Sequence, residues 1–357
     1  MAEKRILIKN GRIWNGFSMS QGDVFIENGI ISQIGLSEST EVDYEFDATG
    51  CIVSSGLVDI HTHMRGISAD VFGTQAEMAC FPFGVTAAAD VSGKSGNEQM
   101  LDTFQVKSAI FVGAHIKENR VDLADLEKRL KLFGERAVGV KTFLDSAVPS
   151  VTDTQPLKVI CEYAHKRDLK VMIHCSGTPV PMNEVLACLD KGDICTHAYH
   201  GRGHTALEDH FASLKEAKLR GVIIDAGMAG GVHTDFEVLR AAVNCGALPD
   251  TISTDITKLS VYTRGGRYGL TMCMSMLRTL GMSEEEILRA VTSSAASALN
   301  RQSIWGVLEV GRAADVAVLK YGDYGFDITD RAGNRLMDDK GYCCQLTIVD
   351  GQVVYRH

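Results

Sequence analysis

Apolar and polar positions alternate at the start of the chain. The runs ILIKNGRIW, DVFIENGII and EFDATGCIV set β-branched residues around Asn-Gly and Gly turns, which is the chemistry of β-hairpins. The end of the chain repeats it in DVAVLKYGD and in CQLTIVDGQVVYR, with its Asp-Gly turn. Two β-rich ends flanking a different middle predict one small β-sandwich domain, assembled from residues 1–55 and 307–357.

In the middle the period changes. Short apolar runs recur at 56–63, 84–90, 108–113, 137–143, 170–174, 193–197, 221–225 and 250–255. Helical patterns such as DLADLEKRLKLFGER and TQPLKVICEYAHKRD lie between most of them. Eight strands, each followed by a crossover, predict an α/β fold, a (β/α)8 TIM barrel over residues 56–306. Barrels of this kind carry their active sites at the C-terminal strand ends. No internal repeat or low-complexity tract interrupts the pattern.

Composition narrows the function classes. Of 357 residues, 45% are hydrophobic and 23% charged, a globular mix that excludes fibre and disorder. The net charge of -9 argues against a nucleic-acid partner, which calls for a basic footprint. No apolar h-region opens the chain, and no run approaches the ~18–20 apolar residues of a membrane helix. A cytoplasmic protein without a membrane partner is expected. The ten cysteines follow no framework spacing and read as reduced thiols; adjacent Cys343 and Cys344 read as packing, as do the methionines of TMCMSMLRTLGM.

Chemistry gathers at the predicted strand ends. The first strand closes in Asp59-Ile-His61-Thr-His63. Residues two apart on a strand share a face, so His61 and His63 both point into the barrel mouth. Lys141, His174, His197 and Asp255 end four other strands. Taken singly, a strand-end His more often makes a structural hydrogen bond, and Asp255 reads as a cap for the next turn. Six such residues on five of eight strand ends, all at one rim, point instead to metal ions. Lys141 is the most informative. An ammonium beside metals in a barrel mouth is desolvated and repelled, which favours the neutral amine. That amine can add carbon dioxide to form a carbamate with two oxygens, suited to bridging two cations. The plain alternative is a lysine that holds a phosphate or carboxylate.

The set resembles the amidohydrolase superfamily in its dihydroorotase-like branch. That branch carries His-x-His after the first strand, a carboxylated Lys after the fourth, His after the fifth and sixth, and Asp after the eighth. Here these positions are His61-Thr-His63, Lys141, His174, His197 and Asp255. The resemblance spans nearly the whole chain: GLVDIHTH follows the N-terminal β-segment, FGVTAAAD resembles the second strand, and GRAADVAVL the entry to the C-terminal β-segment. Within the branch, GALPDTISTDIT and LGMSEEEILRAVTSSAASAL are most similar to bacterial deacetylase-type members.

The resemblance implies two divalent ions, zinc with manganese or iron as alternatives. One would be held by His61, His63 and Asp255 and the other by His174 and His197, with N6-carboxylysine at Lys141 bridging them. Ions ~3.5–4 Å apart can hold a bridging hydroxide at neutral pH and polarise a carbonyl. Asp255 would take the proton and deliver it to the leaving group. His61-x-His63-x-Arg65 is also seen in dihydroorotases, where the Arg holds a substrate carboxylate; a rim salt bridge is the alternative. The family's Gly-His-Gly type turn after the seventh strand is replaced by Asp225-Ala-Gly-Met-Ala-Gly-Gly, with His233 beyond it. That loop faces substrate in the family, which makes His233 a substrate-binding candidate. His200, in HAYHGRGH with Arg202 and His204, is another. Arg264 and Arg267 either attract an anion or pair at the surface. His115, His165 and His210 read as structural.

The expected activity is therefore metal-dependent hydrolysis of an amide or ester, deacetylase-like, in a small carboxylate-bearing molecule, by a homo-oligomer. A cyclic amidase of dihydroorotase or hydantoinase type is the alternative. Nucleobase deamination is less compatible, because true adenine deaminases use a different site pattern. A non-catalytic assembly barrel typically loses metal ligands, and none is missing here.

Overall fold

The computed structural model describes residues 5–35, 41–64, 72–93, 101–146, 151–263 and 267–357. The first residues form β1 (Arg5–Trp14), β2 (Met19–Glu27), β3 (Ile30–Gly35), β4 (Tyr44–Asp47) and β5 (Ile52–Ser55). β1 pairs antiparallel with β2, and parallel with β4 along its first half and β5 along its second. A bulge between Ile8 and Gly11 bends it between the two partners.

The parallel sheet follows: β6 (Leu57–Thr62), β7 (Val85–Gly93), β8 (Lys107–Gly113), the short ribbon β9 (Ile116–Lys117) and β10 (Arg120–Val121), then β11 (Ala137–Phe143), β12 (Lys170–His174), β13 (Ile194–Thr196) and β14 (Ile223–Asp225). The chain ends in β15 (Val316–Gly322), β16 (Phe326–Thr329), β17 (Arg335–Asp338), β18 (Gly341–Val349) and β19 (Gln352–Arg356).

Both ends of the chain share one eight-stranded sheet of order β19-β18-β15-β5-β1-β2-β3, with β4 branching from β1. Its two edges meet. A Cβ on Gly351, in the β18–β19 turn, would lie 2.5 Å from the Cα of Gly29 in the β2–β3 turn. The sheet thus curls around its own core, which includes Ile6, Ile8, Val24, Ile26, Val316 and Ile348.

The barrel sheet runs β14-β13-β12-β11-β8-β7-β6, parallel throughout. The eighth predicted strand is not a regular one. Residues 250–256 close the ring through isolated parallel bridges, Asp225 with Thr251 and Thr62 with Ile256. Side chains displace the ladder here. Thr251 and Ser253 donate to Asp225, and Thr254 donates to Asp59 through both its hydroxyl and its N–H. Hydroxyl residues offer the backbone such alternatives to sheet pairing.

The outer helices bury one stripe each. In Gln155–His165, buried Leu157, Ile160, Cys161 and Ala164 follow the i, i+3, i+4, i+7 spacing of a core-facing helix. Large apolar side chains of this kind contribute about 1.5–3 kcal/mol apiece when buried. Asp122 and Asp235 cap the helices Leu123–Phe133 and Phe236–Asn244, and Ser283 with Glu286 forms a capping box. The curled sheet is fixed to the barrel by the Trp14 indole, which donates to Thr292 Oγ1 at 3.1 Å, and by Lys107, paired with Asp315 at 2.6 Å. Among the described residues no helix is long and apolar enough to cross a membrane.

Candidate metal centre

Strand alternation decides what fills the barrel. Gly139 lies two residues before Lys141, on the same face, and a Cβ there would come 2.7 Å from the Phe111 ring. Met172 and Ile194 stand likewise two before His174 and Thr196, and both cluster with Phe111. An apolar floor therefore underlies a polar mouth. A charged group standing on such a floor is desolvated from below.

At the mouth, Asp255 Oδ1 lies 2.8 Å from His63 Nε2 and 3.3 Å from His61 Nε2, and its Oδ2 lies 3.8 Å from His197 Nε2. The rings of His174 and His197 are 4.5 Å apart, centre to centre. His233 sits 4.7 Å from His174 and 4.5 Å from His197. Two sets of ligand atoms converge here: His61, His197 and Asp255, and His174, His197 and His233. His197 belongs to both.

Buried polar partners orient these rings. Thr196 Oγ1 donates to Asp225 at 2.6 Å, so its one hydrogen is committed and it accepts from His61 Nδ1 at 3.1 Å. His197 Nδ1–H donates to the Gly227 carbonyl at 2.6 Å. Each bond fixes the proton on Nδ1 and leaves the Nε2 lone pair facing the mouth, the arrangement that metal-binding histidines use. Gly227 is required for it: at φ +51, a Cβ would stand 2.6 Å from His197 Nδ1. Asp59 accepts from the His61 and Thr254 N–H groups and the Thr254 hydroxyl, tying the first strand end to the eighth segment. His197 and Asp255 both hold left-handed backbones, φ +62 and +47. Strain of this kind persists where the surroundings over-determine it, commonly at functional sites. For Asp255 the constraint is its N–H, which donates to the His61 carbonyl at 2.7 Å.

The electrostatics follow from burial. Burial pushes Lys141 down to about 8 and drives His61, His174 and His197 well below their usual range. It also lifts Asp59 to about 7 and Asp225 to about 6. Burial works to raise Asp255 too, but His61 and His63 outweigh it and hold that carboxyl well below normal. The mouth thus gathers buried nitrogens around one carboxylate. Lys141 Nζ, His174 Nε2 and His233 Nδ1 are buried without a hydrogen-bond partner, and Lys141 Nζ lies 4.6 Å from the centre of the Phe143 ring. Orphaned buried donors and acceptors are uncommon in folded proteins. A cation, with a carbamate on the lysine, would satisfy them, so these residues fit a metal centre.

The remaining candidates are placed as follows. His200 is buried, with Nδ1 accepting from the Arg202 N–H at 3.2 Å, and burial lowers it to about 4. Arg202 reaches Asp145 at 3.4 Å. His204 pairs with Glu208, and His165 with Asp193 at the opposite end of the barrel. His115 and His210 are exposed. Arg267 reaches the Gly325 carbonyl at 3.5 Å. Arg65 and Arg264 lie outside the described residues. Sequence reasoning assigned no role to Asp59, Thr196 and Asp225. The signal available was their spacing: Asp59 two before His61 on one face, and Thr196 and Asp225 closing adjacent strands.

The profile of the amidohydrolase family matches residues 52–354. The chain belongs to this family and is a hydrolase acting on carbon–nitrogen bonds. It is 28% identical to a deacetylase of Brucella anthropi, across 88% of this chain and 84% of that protein. It is also 28% identical to a deacetylase of Agrobacterium fabrum, across 89% and 83%. A dihydroorotase crystal structure superposes with a TM-score of 0.87 at 24% identity, covering 98% of this chain and 97% of that one. At that identity the superposition speaks for the fold, a barrel with an attached sheet.

Proposed function

We propose that this chain is a binuclear metal-dependent hydrolase that removes an acyl group, deacetylase-like, from a small carboxylate-bearing substrate. The observation that carries the reading is Lys141: a buried amine without a hydrogen-bond partner, in a mouth of imidazoles. His61, His63 and Asp255 would hold one ion and His174 and His197 the second, with Lys141 bridging as N6-carboxylysine. Zinc suits these ligands. Bound there, the metal supplies Lewis acidity toward the scissile carbonyl and acidifies water.

The chain's own residues do the rest. Asp255 is anionic beside His61 and His63, and takes a proton from the attacking water to pass to the leaving nitrogen or oxygen. Thr196 and Asp225 hold the His61 ring with its Nε2 lone pair toward the mouth. Buried His200, one edge of which has no partner, contacts substrate, and Arg65 holds the substrate carboxylate. Residues 56–306 carry the reaction, with 1–55 and 307–357 as the composite β-domain. The partner is a small molecule, and the protein is a cytoplasmic homo-oligomer.

The named deacetylase relatives support an acyl substrate over a cyclic amide. One experiment tests the whole: elemental analysis of protein purified without chelator, with a panel of N-acetyl amino acids, dihydroorotate, hydantoins and nucleobases. Metal approaching two ions per chain and turnover of N-acetyl substrates are expected. Activity without bound metal would overturn the metal reading. Turnover of cyclic amides alone, or ammonia release from a nucleobase, would overturn the acyl reading. Arg65→Ala should raise KM for carboxylate substrates and spare their neutral amides.

A further inference from the structure

We infer that His233 is a third imidazole ligand of the second metal position, bound through Nδ1, rather than a substrate contact. The inference rests on the two-ion reading and adds a residue that the His-x-His, Lys, His, His, Asp pattern does not contain.

The case is geometric. His174, His197 and His233 each offer one ligand atom, and these atoms all lie within 4.8 Å of one another. His197 Nδ1 is spent on the Gly227 carbonyl, so Nε2 faces the group. His174 Nε2 and His233 Nδ1 have no hydrogen-bond partner and no solvent. The rings meet edge to face between His174 and His233, at 88°. No hydrogen bond joins these ring nitrogens to one another, and buried polar atoms left this way are uncommon. A single cation among the three would satisfy them together.

The loop that carries His233 is built to hold position. Its Met228 and Ala229 N–H groups donate to the carbonyls of Ser253 and Thr254, at 3.1 and 2.9 Å. Those two residues lead directly into Asp255. On the other side, the Gly231 carbonyl accepts from the Arg331 N–H at 3.1 Å. Thr234 Oγ1 donates back to the Met228 carbonyl at 3.4 Å. The loop is therefore fastened to the segment that carries the ligand of the first position, and both positions are set by one hydrogen-bonded unit. Support of this kind is what a ligand needs, since small displacements of a supporting shell cost metal affinity.

The test uses the full-length apoprotein, titrated with Co(II) and followed by d–d absorption and elemental analysis. Wild type should take two equivalents. His233→Ala should take the first as tightly as wild type, which also reports an intact fold. It should take the second at least ~10-fold more weakly, the floor set by losing even an outer partner of a metal ligand. His233→Asp, which supplies a carboxylate oxygen, should recover part of the loss, with an altered second-site spectrum. A His233→Ala protein that binds the second Co(II) with wild-type affinity and spectrum overturns the inference and leaves the two-ion reading standing. A wild-type protein that takes fewer than two equivalents overturns both, and is seen before any variant is made.

Discussion

At the N-terminal end of the barrel, Lys107 opens β8 and gives its ammonium to Asp315 and Asp350, at 2.6 and 2.8 Å. At the same end, His165 Nε2 meets Asp193 at 2.9 Å, and Asp193 also accepts from the N–H groups of Val171 and Asp190. At the C-terminal end the same residue types are wired differently. Lys141, His174 and His233 keep buried nitrogens with no hydrogen-bond partner, around one carboxylate. A cleft of about 1030 Å³, lined by Phe104, Lys107, Arg136, Trp305 and Asp350, lies at the satisfied end. What separates the two rims is not residue type but whether these polar atoms already have partners. The satisfied rim is built for stability; the unsatisfied one is where the proposed ions would bind.

Variants at the unsatisfied rim should give the largest effects. Lys141→Ala should lose metal and activity together, and short carboxylic acids should restore part of both. Lys141→Arg should stay inactive, because a guanidinium remains charged and cannot be carboxylated. Asp255→Asn should lower kcat by ~100-fold or more while keeping some metal through the amide oxygen. Wild-type metal content in Lys141→Ala would break the contrast outright.

At the satisfied rim the effect should move from rate to stability. Asp193→Ala strands the buried Val171 N–H and the part-buried donors Asp190 N–H and His165. Denaturant unfolding should show a loss of about 2–4 kcal/mol, with kcat and metal content unchanged in the folded enzyme. A loss of metal from Asp193→Ala would mean that the two rims are coupled.

This contrast was only half legible in the sequence. β11 and β12 begin and end where hydrophobic runs do, because both are buried on each face and flanked by clear helical periods. The eighth segment reads as a strand by pattern, yet Thr251, Ser253 and Thr254 spend their hydroxyls on Asp225 and Asp59 instead of joining a ladder. β-Branched hydroxyl residues look alike in either role. At the site, residues on strands could be placed by parity, which is why His61, His63, Lys141 and His174 could be set at one rim. His233 and His200 sit on loops, where position follows from hydrogen bonds such as Ala229 N–H to the Thr254 carbonyl and not from any period. The difference between His165 and His174 was legible, since the first closes a helix and the second a barrel strand.

The smallest expected effect is the sharpest control, because it compares two lysines that burial lowers alike. Lys170, at the start of β12, and Lys141, near the end of β11, are both pushed down to about 8. A lowered pKa therefore does not mark the functional lysine. Lys170 Nζ donates to the carbonyls of Ser297 and Ala298, at 3.0 and 2.8 Å, closing the last turn of the helix Ser293–Ala298. A cation there also meets the negative end of the helix dipole. Lys170→Met keeps the stem and drops the ammonium, so it should cost about 1–2 kcal/mol in denaturant unfolding, with activity and metal content unchanged. Lys141→Met removes an amine that has no partner to lose. It should hold or raise the stability of the metal-free protein and abolish metal binding. If both variants instead lost stability equally and kept their metal, Lys141 would be another structural lysine, and the case for a carbamate bridge would fall with it.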